Sequence, residues 1–234
     1  MGGATAEGDH QAHRSATTEE SAVFADDVGQ RMVTGLAKIG LATRHRAWAE
    51  AERQGLTPTQ GQILALLRPR SEAGMRLSEL AEALAVAPAT ATVAVQALER
   101  KGLVEKRRSV RDGRARTIAL TAEGWSEAER AAGWSDFLLA AVDALTPEEQ
   151  EVFLRGLIKM IRALQERGEI PVSRMCVTCK FFRPHLHADS RRPHHCAFVN
   201  APFGDRDLRL DCMDHQPAPE EQALRAWEAF AGTG

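Results

Sequence analysis

Four cysteines, Cys176, Cys179, Cys196 and Cys212, are the only ones in a 234-residue chain, and the first 175 residues contain none. Their spacing is C-x2-C-x16-C-x15-C. A C-x2-C turn brings two sulfurs toward one centre, and four thiolates are soft ligands that suit Zn²⁺ or an iron–sulfur cluster. Disulfides are the other use of clustered cysteines, and they belong to oxidising compartments. The opening MGGATAEGDHQAHRSATTEE lacks the basic start and apolar core of a secretory leader. No apolar run is long enough to span a membrane. A cytoplasmic protein without a membrane partner is expected. There, a metal site is the expected use of the four thiols, with free thiols or a redox-switched disulfide as the remaining readings.

The cysteine window is rich in Pro and His and poor in aliphatic residues, so metal binding would supply its folding energy. His185, His187, His194, His195 and His215 crowd it. Four cysteines already complete a site, so these histidines are expected beside it or at the surface, with His195 and His215 the alternates as ligands. Phe181, Phe182, Phe198 and Phe203 would form an apolar sheath that keeps water from a cluster. A zinc ribbon usually offers two C-x2-C knuckles, but here the second pair is split. That layout, with "CKFF" at the first pair, resembles the cysteine spacing of high-potential iron–sulfur proteins. The resemblance implies a [4Fe–4S] cluster, and zinc is the alternative.

The rest of the chain must position this window. Residues 1–20 are small and polar without apolar periodicity, which predicts a disordered tail. Apolar residues at helical spacing from Val23 to Trp48 predict an N-terminal helix within 21–56, capped by Thr17 or Thr18. Thr57, Pro58 and Gln60 have the spacing of a capping box with Pro at the first helical position. A third, short helix, "LSELAEAL", is expected with Ser78 as its cap. Three residues, Ala85 to Ala87, then lead to a fourth helix from Pro88 to Gly102 carrying Val93, Val95 and Leu98. Two short helices joined by a tight turn are a helix-turn-helix candidate. "LVEKRRSV" and "ARTIALT" alternate like strands around an "RDG" tip. One helix over about 122–144 and another from "TPEEQ" to about Arg167 follow. "RGEIPVS" reads as a linker, and "PEEQALRAWEAF" as a last short helix.

Net charge is −2, but eight Lys or Arg face three acids between Glu99 and Thr117. That local excess is the footprint of a nucleic-acid binder. The second helix of the pair is the natural reader of base edges, with Thr90, Thr92 and Gln96 as its polar contacts. Arg107, Arg108, Arg111 and Arg114 crowd the hairpin, where guanidinium groups meet phosphates or a narrow minor groove.

The stretches "LTPTQGQILALL", "LSELAEALAVAPATATVAVQALERKGLVEKRRSVRDGRARTIALTAEG" and "LTPEEQEVFLRGLIKMIRALQ" resemble the MarR family of transcription regulators over roughly residues 21–167. The "RDGRARTIALTAEG" wing is the most specific part. The resemblance implies that Asp112 orients Arg114 toward DNA. It also implies a homodimer on a pseudo-palindromic double-stranded operator, joined through Val152, Phe153, Leu157, Met160, Ile161 and Leu164. Family reading helices often carry an Arg near the position of Val93, which this chain lacks, so shape and thymine methyls would carry more of the sequence preference. Small-molecule effectors are common in the family. Arg44, His45 and Trp48 lie where such a pocket forms, and no site is assigned to one here.

The expected fold is mainly α with a small β-hairpin: a winged helix-turn-helix DNA-binding core, dimerisation helices and a small metal-binding C-terminal module. The expected divisions are a tail (1–20), an N-terminal dimerisation helix (21–56), the DNA-binding domain (57–121), further dimerisation helices (122–170) and the cysteine and histidine module (171–234). No nucleophile–base pair or phosphate loop argues for an enzyme. The function expected is a regulator that senses redox or metal state through its four-cysteine site. The rivals are a regulator with structural zinc and a small-molecule effector, and an electron-transfer protein on a winged-helix scaffold.

Overall fold

The computed structural model describes residues 27–70, 73–108 and 115–232. By internal contacts the chain divides into residues 1–50 and 51–234. In the first unit, helix α1 (Val28–Arg53, whose last turn enters the second unit) exposes Val28, Met32, Val33, Ile39, Leu41 and Trp48. The proposed caps Thr17 and Thr18 lie outside the described residues.

The second unit opens with α2 (Pro58–Leu67). Its start is set locally: the Thr57 hydroxyl accepts from the Gln60 amide, and the Gln60 side chain accepts from the Thr57 amide. A short 3₁₀ turn, Arg68–Arg70, follows. Helix α3 (Leu77–Ala83) and α4 (Pro88–Arg100) meet at 114°, within the range of a helix-turn-helix. Ser78 does not cap α3. The helix starts one turn position earlier, where the Glu79 carboxylate accepts the Arg76 amide at 2.7 Å. A carboxylate at the helix N-terminus also suits the macrodipole. Helix α4 ends in a Schellman turn. Gly102 sits at φ +71, its amide bonds to Glu99 O, and the Leu103 amide reaches Leu98 O.

Strands β1 (Val104–Arg108) and β2 (Arg116–Leu120) pair antiparallel from Val104↔Leu120 to Arg108↔Arg116. Met75 adds a single bridge to Ile118 and so ties the start of α3 to the wing. Leu80, Ala91, Val95, Leu98, Ile63, Leu64 and Leu67 are buried together with Val104, Ile118 and Leu120, which makes the wing base part of the same core.

The single helix expected over 122–144 is two. Helix α5 (Ala122–Ala132) stops at Gly133, a 3₁₀ turn carries Trp134, and α6 (Asp136–Val142) follows. The break turns the Trp134 indole onto Gly61 of α2, where a Cβ would collide with the ring. Helix α7 (Pro147–Glu166) starts on a second capping box, Thr146 with Glu149.

Past α7 the chain forms a three-stranded antiparallel sheet, β3 (Phe182–Arg183), β4 (His194–Cys196) and β5 (Ala201–Phe203), and helix α8 (Glu220–Ala231). This segment has an apolar core of Met175, Val177, Phe182, Leu208 and Phe230, completed by Ile158 of α7. The module is therefore not a separate appendage held only by a metal. It borrows α7 as one wall.

That borrowing splits the apolar surface of α7 into two stripes. Leu154, Ile158 and Ile161 pack on the module core. Phe153, Leu157, Met160 and Leu164 form a second stripe at i, i+4, i+7 and i+11, with Phe153 and Leu164 exposed. Ile161, grouped above with the dimer contacts, thus belongs to the intrachain stripe. Val152 is 72% exposed and lies on neither stripe.

Candidate functional site

The reading helix presents a narrow open face. Ala91, Ala94, Val95 and Leu98 are buried, while Ala89, Thr90, Val93, Gln96 and Arg100 point outward. Thr92 is half-buried, and its hydroxyl donates to the Pro88 carbonyl of its own helix at 2.8 Å, which leaves its lone pairs and methyl group to face DNA. Val93, at the position where family reading helices often carry an Arg, is 63% exposed on the open face. Arg100, not singled out from the sequence, shares this face: Val93, Gln96, Ala97 and Arg100 stand at i, i+3, i+4 and i+7.

All four residues after Val104 in β1 are exposed. Arg107 is bound to Glu105 and Lys106 to Glu99, so two of the wing's cations carry an acid partner. Arg108 and Arg116 stand opposite each other at the outer end of the described ladder, both exposed. Arg111, Asp112 and Arg114 lie outside the described residues.

The cysteine window is organised by backbone hydrogen bonds. Cys176 opens a 3₁₀ turn in which the Cys179 amide donates to Cys176 O at 2.9 Å, and the Phe182 amide then donates to Cys179 O. Cys196 ends β4 opposite Phe182 of β3 and Ala201 of β5. Cys212 arrives on a loop stitched to the same turn: its amide donates to Arg174 O, the Cys176 amide to Arg209 O, and the Lys180 amide to Gln216 O. None of the four thiols is in a disulfide. All four line one cavity of about 200 Å³, together with Phe181, Phe182, Phe198 and Phe203.

The surroundings of Cys176 resist a free thiolate. Burial pushes the Cys176 thiol up to about 11; the Arg209 amide, donating to Cys176 Sγ at 3.3 Å, opposes the shift, and the three other thiols reinforce it. A cationic centre would reverse that balance, since metal ligation takes cysteine as thiolate and releases the proton. Among the described residues, no three His, Cys, Asp or Glu side chains gather as tightly as a single bound ion requires. By donor chemistry alone, four thiols on one cavity suit a soft metal centre. Cys176, Cys179, Cys196 and Cys212 would hold it, the four Phe rings would exclude water, and the group would supply one-electron chemistry when bound.

The histidines do not line the cavity. His215 meets the Thr178 hydroxyl at 3.0 Å, and His187 and His195 face each other at 3.2 Å. His194 is fully buried. Its Nδ1 accepts the His185 amide, so Nε2 carries the hydrogen it donates to Asp205 at 2.5 Å. Asp205 also takes Arg155 of α7 at 2.7 Å. Burial pushes the Asp205 carboxyl up, but the hydrogen bonds from His194 and Arg155 outweigh it and hold the group at about 2. Arg155 also lies over the Phe230 ring, and Arg162 over that of Trp227. This relay from β4 to α7 was not foreseen from the sequence. Its signal was an arginine inside the apolar pattern of α7.

A helix pair at 114° with one outward face, followed by a basic two-stranded wing fused to the same core, defines a winged helix-turn-helix protein. Residues 56–115 match the sequence model of the MarR family. The HTH-type transcriptional repressor MdtR of Bacillus subtilis (strain 168) is 33% identical over 99 residues, which are 42% of this chain and 63% of that protein. The match thus spans less than two thirds of that relative. A crystal structure of a Staphylococcus aureus MepR–DNA complex superposes with a TM-score of 0.50 at 25% identity, covering 55% of this chain and 93% of that one. The YusO protein from Bacillus subtilis gives 0.45 at 27% identity, covering 59% and 98%. Among the described residues no single helix is long and apolar enough to cross a membrane.

Proposed function

We propose that the protein is a MarR-type DNA-binding transcription regulator whose four-cysteine site senses redox or metal state. The outward stripe of α4 beside the exposed basic strand of the wing carries the DNA-binding half of this reading. Thr90, Val93, Gln96 and Arg100 would face the major groove, and Arg107, Arg108, Arg111 and Arg114 the backbone, with Asp112 orienting Arg114. The open stripe of α7 and the exposed apolar residues of α1 favour a homodimer, which would suit a pseudo-palindromic operator.

The convergence of four thiols and four Phe rings on one cavity supports the sensing half. The split second cysteine pair favours an iron–sulfur cluster as the occupant, with zinc the alternative. The test has two arms. Protein purified without oxygen is assayed for iron, sulfide and zinc, and for the brown colour of a cluster against the colourlessness of zinc. The same samples, loaded and stripped, are titrated with a duplex selected from a random library. Binding to no selected duplex would sink the DNA reading. Equal affinity in both states would sink the sensing reading.

A further inference from the structure

We infer that the state of the cysteine site is communicated to the wing within one protomer through an ion-pair bridge, Cys212–Asp211–Arg70, which docks the site's last loop onto the winged domain. The inference rests on the sensing role proposed above and adds the route.

The bridge begins at Cys212. Its amide is anchored on Arg174 O at 2.9 Å, and the preceding Asp211 is held by the Arg174 guanidinium, with Nε at 2.7 Å. The side chain and backbone of Arg174 therefore fix both residues of the loop at once. The Asp211 carboxylate then reaches Arg70, whose Nη2 lies 3.4 Å away. Arg70 is itself nearly buried, and its Nη1 donates to Leu66 O at the end of α2 at 2.8 Å. It is thus rigidly part of the winged domain. The Arg70 carbonyl accepts the Gly74 amide at 2.7 Å, and the next residue, Met75, exchanges both backbone hydrogen bonds with Ile118 of β2. Gly74 sits at φ +64, and a Cβ there would stand 2.5 Å from the Ile118 carbonyl oxygen, so this segment lies close against the wing strand. Ile118 is two residues from Arg116 on the outer, basic end of that strand.

The contact lies on the wall of an open cavity of about 1030 Å³ between the two parts, lined also by Met213, Pro171 and Met75. A ligand on the Cys212 sulfur would add a further anchor to a loop that Arg174 already holds at Asp211 and Cys212. Gain or loss of that anchor would shift the Asp211 carboxylate relative to Arg70 and so change how the wing is referenced to the module. Such coupling needs only a differential contact between two states at both ends.

The test uses full-length protein, loaded as purified without oxygen and stripped by oxidation and chelation, with the duplex selected above. Arg70→Ala and Asp211→Asn are compared with wild type, and Arg70→Lys serves as the variant that keeps the pair. Metal content reports that the site still loads, and hydrogen exchange of the Met75 and Ile118 amides reports the wing. The expected result is that wild type and Arg70→Lys change affinity with loading. Arg70→Ala and Asp211→Asn would load normally and lose about fivefold of that change, the size of a modest coupling. Met75 and Ile118 exchange would depend on loading only where the pair is present. If wild type responds and Arg70→Ala responds equally, the route is wrong while the sensing reading stands. If wild type itself fails to respond, the sensing reading falls and the route with it. A variant that does not fold leaves the decision to Asp211→Asn, whose change is isosteric and at the surface.

Discussion

Asp205→Asn is the most informative single change in the C-terminal module. The carboxylate sits between a fully buried histidine and an arginine of α7. Asparagine keeps the shape and leaves Arg155 beside a neutral amide. Truncating one partner of a buried, hydrogen-bonded ion pair costs about 3 kcal/mol or more, because the other charge stays buried. The carboxyl itself gives a second estimate. Its fall from the ordinary 3.8 to about 2 is worth about 2 kcal/mol at about 1.4 kcal/mol per pH unit. Both figures agree on a loss of about 2–3 kcal/mol at neutral pH. Amide hydrogen exchange in β4 and α8 is the assay, since it reads local stability where global unfolding blurs two parts. Protection there should drop about 30- to 150-fold, while that in α2 and α4 stays unchanged. The pH dependence fixes the cause. A depressed carboxyl stabilises the fold fully above about 4, and that contribution is lost as pH falls through about 2. Wild type should show this loss and Asp205→Asn should not. Unchanged protection in the variant, or an identical acid profile, would refute the relay.

Gly61→Val should destabilise the winged domain by about 1–3 kcal/mol in chemical denaturation, through collision with the Trp134 indole. Thr121→Val should cost about 1 kcal/mol, because the hydroxyl caps α5 on the Gly124 amide and donates to Gly102 O. Arg108→Ala should lower the slope of log affinity against log salt by about 0.9 while leaving sequence preference intact, as loss of one phosphate contact requires. Cys196→Ser should abolish metal content by elemental analysis yet keep the winged domain folded by far-UV circular dichroism.

Local chemistry was legible in the sequence wherever it acts within a few residues. Thr57 with Gln60, Thr146 with Glu149 and Gly102 announce helix ends because capping residues satisfy backbone groups at their own position. The wing was legible because two strand-like runs flank the turn residues of the RDG tip, even though burial does not alternate along either strand. What the sequence hid depends on distant partners. The break at Trp134 exists because a glycine in α2 leaves room for an indole. The split of α7 into two stripes could not be read from one helix, since periodicity reports how wide an apolar face is and not how many neighbours share it. His194 read as a group beside the metal site or at the surface, and Asp205 and Arg155 carried no signal, because their burial is created by the sheet and α7 together.

The two stripes of α7 are offset by one residue, which is about 100° around the helix axis. Any roll of α7 that improves packing on one stripe therefore misaligns the other. With Ile158 fully buried against Phe230, and Arg155 and Arg162 laid over aromatic rings, the C-terminal module sets the roll angle of this helix. Proteolytic removal of the last 60 or so residues would leave the winged domain intact but release that angle. The truncated chain would then gain a rotational freedom at the open stripe that no residue of the winged core restrains.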